Sequence, residues 1–152
     1  MDIERNKATA RRFFEEVFTA GRLDVMDEIA SPELRAQGSL PPGLPDRGPA
    51  PYKHTVEMFR HAFAELHHEI HALVAEGDLV AVHVTMTGRH VNTFLDVPAT
   101  GRRVVYPGMD LMRFDSEHRL VEHWTATDDL GLLQQLGILP DDQPWSSPMP
   151  PL

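Results

Sequence analysis

Residues 70–87, IHALVAEGDLVAVHVTMT, decide the fold. Ile70, Ala72 and Val74 recur at every second position up to Glu76-Gly77-Asp78, and beyond that turn Val80, Val82, Val84 and Met86 alternate with Ala81, His83, Thr85 and Thr87. Successive strand side chains point to opposite faces, so two such runs joined by a glycine-containing turn read as a hairpin with one buried face. Downstream, Arg102 to Phe114 and Arg119 to Asp128 read as two more strands around the turn-forming Asp115-Ser116-Glu117-His118, and Leu130 to Leu136 reads as a short helix stopped by Gly137.

Upstream of the hairpin the period changes to that of a helix. Val56, Phe59, Ala62, Phe63 and Leu66 form an apolar stripe that predicts a helix over Tyr52 to Leu66. Residues 2–20 predict another, capped by Asp2, with Ile3, Ala10, Phe13, Phe14, Val17 and Phe18 on its buried face and Gly21 at its end. A short helix over Leu23 to Ala30 stops at Ser31-Pro32, after which the chain reads as irregular. GSLPPGLPDRGPAP, residues 38–51, holds too much proline and glycine for either regular element and is expected to be a long surface loop, either a plain connector or a lid. The Pro-rich tail, residues 139–152, has little to pack except Trp145, so the folded domain is expected to span residues 1–138. This order of elements fits an α+β domain in which helices cover one face of a curved mixed or antiparallel sheet, making a cup.

A chain of 152 residues supports one core. The longest apolar run falls short of the roughly 18 residues a membrane helix needs. The charged N-terminus lacks the basic-then-apolar layout of an export signal, so a soluble, cytoplasmic protein is expected, with no membrane partner. Cysteine is absent, which removes disulfides, thiolate metal sites and cysteine nucleophiles. With 23 acidic against 14 basic residues, a net charge of −9 and no basic stripe, no nucleic-acid partner is expected.

Nine histidines raise a metal reading, but the spacing in His67-His68-Glu69-Ile70-His71 does not support it. The zinc-protease motif needs two histidines four apart on a helix; His68 and His71 are one residue short, and His67 and His71 are expected to straddle a helix–strand boundary. Neither a metal nor a cofactor is expected. No GxSxG, P-loop or GxGxxG motif occurs.

Strand phase points to the chemistry instead. Val121, His123, Thr125 and Thr127 share one face of their strand; Tyr106, Gly108, Asp110, Met112 and Phe114 share one face of theirs. If both sets face inward, Asp110 and His123 meet in an apolar cup as an acid/base pair. The competing readings are a structural hydrogen bond, or an Asp110 that faces solvent. Phe14, Phe18, Phe59, Phe63, Met86 and Met112 would wall the pocket or simply fill the core.

Three stretches resemble the SnoaL-like polyketide cyclases of the nuclear-transport-factor-2-like superfamily: NKATARRFFEEVFTAGRLDVMDEIASPEL (6–34), FRHAFAELHHEIHALVAEGDLVAVHVTMTGRH (59–90) and the chain from Thr93 to Gly137. The most specific parts are FLDVPATGRRV (94–104) and Glu122-His123-Trp124 followed by DDLGLLQQLG (128–137). The resemblance implies a cone-shaped α+β barrel around one pocket, a homodimer, and cofactor-free ring closure of a hydrophobic polyketide by aldol chemistry. It places His123 on a pocket histidine of the family, Thr125 where the family's general acid/base carboxylate sits, and Asp110 where a further pocket histidine sits. Threonine cannot accept a proton near neutral pH. Either Asp110 is then the base, with Asp110 and His123 catalytic, or the pocket works by shape, with Tyr52 and Tyr106 donating to a substrate carbonyl. Thr125, Tyr106 and the apolar side chains above would contact substrate. The alternatives are an isomerase or epoxide hydrolase of the same fold, for which Arg89 and Arg113 are poorly placed, and a non-catalytic binding module. The strand faces bearing His83 and Trp124 are the expected dimer contact.

Overall fold

The hairpin forms, with β2 (Phe63–Glu76) and β3 (Leu79–His90) antiparallel around Gly77, whose φ of 60° suits glycine. The expected set Ile70, Ala72 and Val74 does not share a buried face, however: the register shifts between Ile70 and Ala72, so Leu73 and Ala75 pack on the core and Val74 is exposed. In this computed structural model, which describes residues 2–37 and 45–141, β4 (Arg103–Phe114) pairs antiparallel with β3, and β5 (Leu120–Thr127) antiparallel with β4. β1 (Ala30–Gln37) lies parallel to β5 at the edge, giving the order β1-β5-β4-β3-β2. The expected α+β class and mixed sheet are therefore present. The sheet is not closed by hydrogen bonds: β1 and β2 are its two ends, β1 meeting, among the described residues, only an isolated bridge from Arg35 to Arg47 beyond its pairing with β5, and helices cover the inner face.

The helices are α1 (Ile3–Arg12), α2 (Leu23–Ile29), α3 (Ala50–Ala62) and α4 (Asp129–Gln135). Asp2 caps α1 by accepting from the Arg5 amide at 3.1 Å. The first helix does not stay α-helical to Gly21: from Phe13 to Thr19 it widens into a π-helix, with Ala20 N–H bonded to the Glu15 carbonyl. That wider turn buries Phe13, Phe14 and Val17 together.

Two expected boundaries are wrong. The stretch after Ser31-Pro32 is a strand, tolerated because Pro32 sits on an edge where its missing N–H costs no ladder bond. Also, α3 ends at Ala62 and the chain from Phe63 is already extended. Glu65, at φ 55°, marks a bulge there, and the β2–β3 register shifts between Ala64 and His67. His67, His68 and His71 therefore all stand on one strand, His67 and His71 exposed and His68 buried.

The inner face of the sheet carries the core. Val80, Val82 and Val84 of β3, with Met112 and Phe114 of β4, pack against Ala10, Phe13, Phe14 and Val17 and against Val25, Met26 and Ile29 of α2. Each large apolar side chain buried this way contributes about 2 kcal/mol. A second cluster joins Ala62, Phe63, Leu66, Met86 and Val104 to Leu132 of α4 and to Leu136, which caps it, plugged by Phe94 from the β3–β4 connection. No helix among the described residues is long and apolar enough to cross a membrane. Residues 38–44 of the proposed lid, and the tail beyond Asp141, lie outside the described residues.

Candidate active site

Between the two clusters the inner face is not filled. A cavity of about 590 Å³ opens there, walled by Phe13, Phe14 and Phe18 of the π-helix, by Tyr52, Met58 and Phe59 of α3, and by the inward side chains of β2 to β5. Val84 and Met86 add apolar lining from β3.

The phase argument brings Asp110 and His123 to this cavity. Asp110 pairs in register with Thr125, and Met112 with His123, so His123 lies diagonally across from Asp110 on the same face. His123 Nε2 is 2.6 Å from Asp110 Oδ1, and each residue is only 6% exposed. Tyr52 adds a third member from α3, its hydroxyl 3.1 Å from His123 Nδ1. With Asp110 ionised, Nε2–H donates to the carboxylate and Nδ1 of the neutral ring accepts the Tyr52 hydroxyl. Burial, reinforced by the negative charge of Asp110, raises the Tyr52 pKa well above its ordinary value, so Tyr52 stays a neutral donor. Phe13 meets the imidazole edge-on, ring centres 5.2 Å apart. Asp110 Oδ2 takes no hydrogen bond from any described residue, which leaves one carboxylate oxygen for a ligand.

Thr125 lies at the exposed mouth, directly opposite Asp110 on the neighbouring strand. Side chains so paired have Cβ atoms roughly 5 Å apart. A carboxylate on Asp110 thus reaches the same part of the cavity as one on residue 125, from one strand over.

Tyr106, Phe14, Phe18, Phe59 and Met86 line the cavity, whereas Phe63 and Met112 do not. Phe63 is sealed among Phe59, His90 and Phe94 because the strand starts there instead of a last helical turn. Met112 lies one inward position beyond Asp110, under the helices, with no exposed surface. Tyr106 lines the cavity with its ring, but its hydroxyl donates to Asp129, which also accepts from Thr127 at 2.7 Å. Burial and Asp129 raise the Tyr106 pKa. Neither tyrosine therefore has a free proton for a substrate carbonyl.

Sequence reasoning missed His68. It projects inward opposite Met86, lines the cavity, and bonds Thr19 of the π-helix through Nδ1 at 3.2 Å. Burial, with a smaller push from His67, lowers its pKa to about 4, against a weaker upward pull from Asp110. The register shift between Ile70 and Ala72 was the hidden signal: Leu73 and Ala75 face the core on the turn side of it, so the phase of His68 cannot be counted back from the turn.

Comparison with known proteins agrees with this architecture. The family model for SnoaL-like polyketide cyclases matches residues 8–136. Aklanonic acid methyl ester cyclase DauD of Streptomyces sp. (strain C5) is 30% identical over 134 residues, 88% of this chain and 80% of that protein. Nogalonic acid methyl ester cyclase of Streptomyces nogalater is 31% identical over 130 residues, 84% of this chain and 96% of that protein. The solved structure of TsrD from Streptomyces laurentii superposes with a TM-score of 0.81 at 27% identity, covering 91% of this chain and 99% of that one. With the family pattern matched across nearly its whole folded length, the chain belongs to the SnoaL-like polyketide cyclases.

Proposed function

We propose that this cyclase closes a carbocycle in a polyketide held in the cavity, without a cofactor, using Asp110 as general base. The 2.6 Å bond between His123 and Asp110 inside the cavity carries the reading, because it fixes one carboxylate oxygen and leaves the other free. Asp110 Oδ2 takes a proton from a carbon acidified by flanking carbonyls. The resulting enolate carbon bonds to a second carbonyl carbon, that C=O π bond breaks, and the new alkoxide recovers the proton from Asp110. Product and substrate are isomers. His123 stays hydrogen-bonded throughout, orienting the carboxylate, and Tyr52 holds the imidazole. A general base so placed contributes about 100- to 10,000-fold.

The methyl esters of aklanonic acid and nogalonic acid, named in two relatives, are the first substrates to test. The expected result is an equal-mass product of changed retention in liquid chromatography–mass spectrometry. Wild-type turnover by Asp110→Asn would remove Asp110 as base. The same comparison in the native host, with and without the gene, separates catalysis from carriage: an accumulating uncyclised isomer supports the cyclase, and an unchanged profile favours the binding module. An epoxide hydrolase is disfavoured because no arginine or lysine lines the cavity among the described residues. Arg113 instead pairs with Asp78 and Glu122.

We also propose a homodimer through the outer sheet face. Val105, Met109 and Leu111 of β4 lie exposed there beside Trp124 and His83, which supports that contact. Light scattering at micromolar concentration should give twice the chain mass, about 34 kDa from the 17.1 kDa chain; a monomer refutes it.

A further inference from the structure

We propose that His68 is a second catalytic side chain of this cavity, a neutral imidazole whose Nε2–H donates to the substrate oxygen on which negative charge gathers. The inference rests on the cavity being the cyclase site, and adds the electrophilic partner that a base alone lacks. An enolate or alkoxide forming in an apolar cup needs a hydrogen-bond donor aimed at its oxygen.

The tautomer follows from the bonds to Thr19. The His68 backbone N–H donates to Thr19 Oγ1 at 3.0 Å. That hydroxyl retains one proton, and the acceptor the geometry offers it is His68 Nδ1 at 3.2 Å. Nδ1 is then an acceptor, so the neutral ring carries its proton on Nε2. Nε2 has no partner among the described residues, yet it is not a sealed orphan like His90 Nε2; the residual surface of His68 is cavity surface. Phe18 meets the ring edge-on at 5.5 Å and Phe14 flanks it at 6.1 Å, which fixes its direction.

The other buried donors on the cavity wall are committed. Tyr52 donates to His123, His123 to Asp110, and Tyr106 to Asp129. Among the described buried lining residues, His68 alone keeps a side-chain N–H or O–H unengaged. A neutral ring also suits the base: an imidazolium facing Asp110 would stabilise the carboxylate and weaken it as a proton acceptor. The low pKa imposed by burial keeps the ring neutral through the physiological range. No proton leaves His68 in this role; the N–H bond stays intact while the oxygen gains charge.

The test uses α-tetralone labelled with 13C at its carbonyl, a small aromatic ketone, together with 15N-histidine-labelled full-length protein. In the free protein, His68 should show the neutral Nε2–H tautomer. On titration, the His68 Nε2 signal and the ketone carbonyl signal should both move, along with the Met86 and Val84 methyls. His68→Gln, which keeps a neutral donor, should retain part of the carbonyl shift; His68→Phe should lose it and bind roughly fivefold more weakly, the worth of one neutral hydrogen bond. An Nδ1–H tautomer, or an equal carbonyl shift and affinity in His68→Phe, overturns the role of His68 while leaving the cavity a binding site. A ketone that disturbs neither Met86 nor Val84 overturns the cavity reading, and the inference with it.

Discussion

His68 and His123 look into one cavity from two walls, and each wall treats its histidine differently. His123, on β5, has a carboxylate on one nitrogen and a phenol on the other. His68, on the edge strand β2, has a threonine hydroxyl on one nitrogen and open cavity at the other. Both rings are buried against phenylalanine. The neighbours, not the ring, decide the role. A carboxylate makes its imidazole an orienting group for a base, whereas a hydroxyl and a dry surround leave the other a fixed neutral dipole.

The largest test of that contrast falls on the charged wall. Asp110→Asn keeps the shape and removes the proposed base, so kcat should fall by about 100- to 10,000-fold with circular dichroism unchanged. A loss below about tenfold would mean that the two walls differ in packing and not in chemistry.

The next effect belongs to the neutral wall and reads as stability. Between about pH 6.5 and pH 4 an unfolded His68 binds a proton that the folded one refuses. Its contribution is therefore intact above that window and is lost as pH falls through it, by up to about 3 kcal/mol. Urea unfolding at about pH 7 and about pH 4.5 should show this loss in the wild type and a smaller one in His68→Gln, which has no ring to titrate. Equal losses would place the low-pH sensitivity elsewhere. Asp110 faces the same cavity and His67 adjoins His68, so Asp110→Asn and His67→Gln are the controls.

The smallest expected effect separates orientation from proton transfer. Tyr52→Phe removes one neutral hydrogen bond to Nδ1 and should lower kcat about five- to tenfold with little change in KM. A drop as large as that of Asp110→Asn would make Tyr52 part of the proton path.

Much of the charged wall was legible before any coordinates. β3, β4 and β5 alternate cleanly, so phase alone put Asp110 and His123 on one face, and a single register sufficed to bring them within 2.6 Å. Tyr52, 71 residues from His123, could be suspected as a donor, but its partner could not be read, because a helix–sheet contact leaves no periodic trace. The neutral wall was illegible for local reasons. Phe59, Phe63 and Leu66 continue a helical stripe across a boundary that the tertiary structure sets at Ala62, and two register shifts, at Glu65 and between Ile70 and Ala72, then reset the phase on either side of His68. Pro32 likewise hid β1, since a proline reads as a stop unless the strand is known to be an edge.

The π-helix from Phe13 to Thr19 ties these walls to the arithmetic of insertion and deletion. A π turn carries an extra residue relative to an α turn, so deleting one residue between 13 and 19 lets the segment relax to an α-helix. A π turn advances each residue by about 80° instead of about 100°, so the segment Phe13–Thr19 and an α-helix one residue shorter sweep nearly the same angle. The apolar stripe of α1 and Thr19 therefore keep their relative orientation, and the contact from Thr19 to His68 survives the deletion. A homologue one residue shorter in this segment is thus expected to be plainly α-helical there and to keep both the hydroxyl and the histidine it holds.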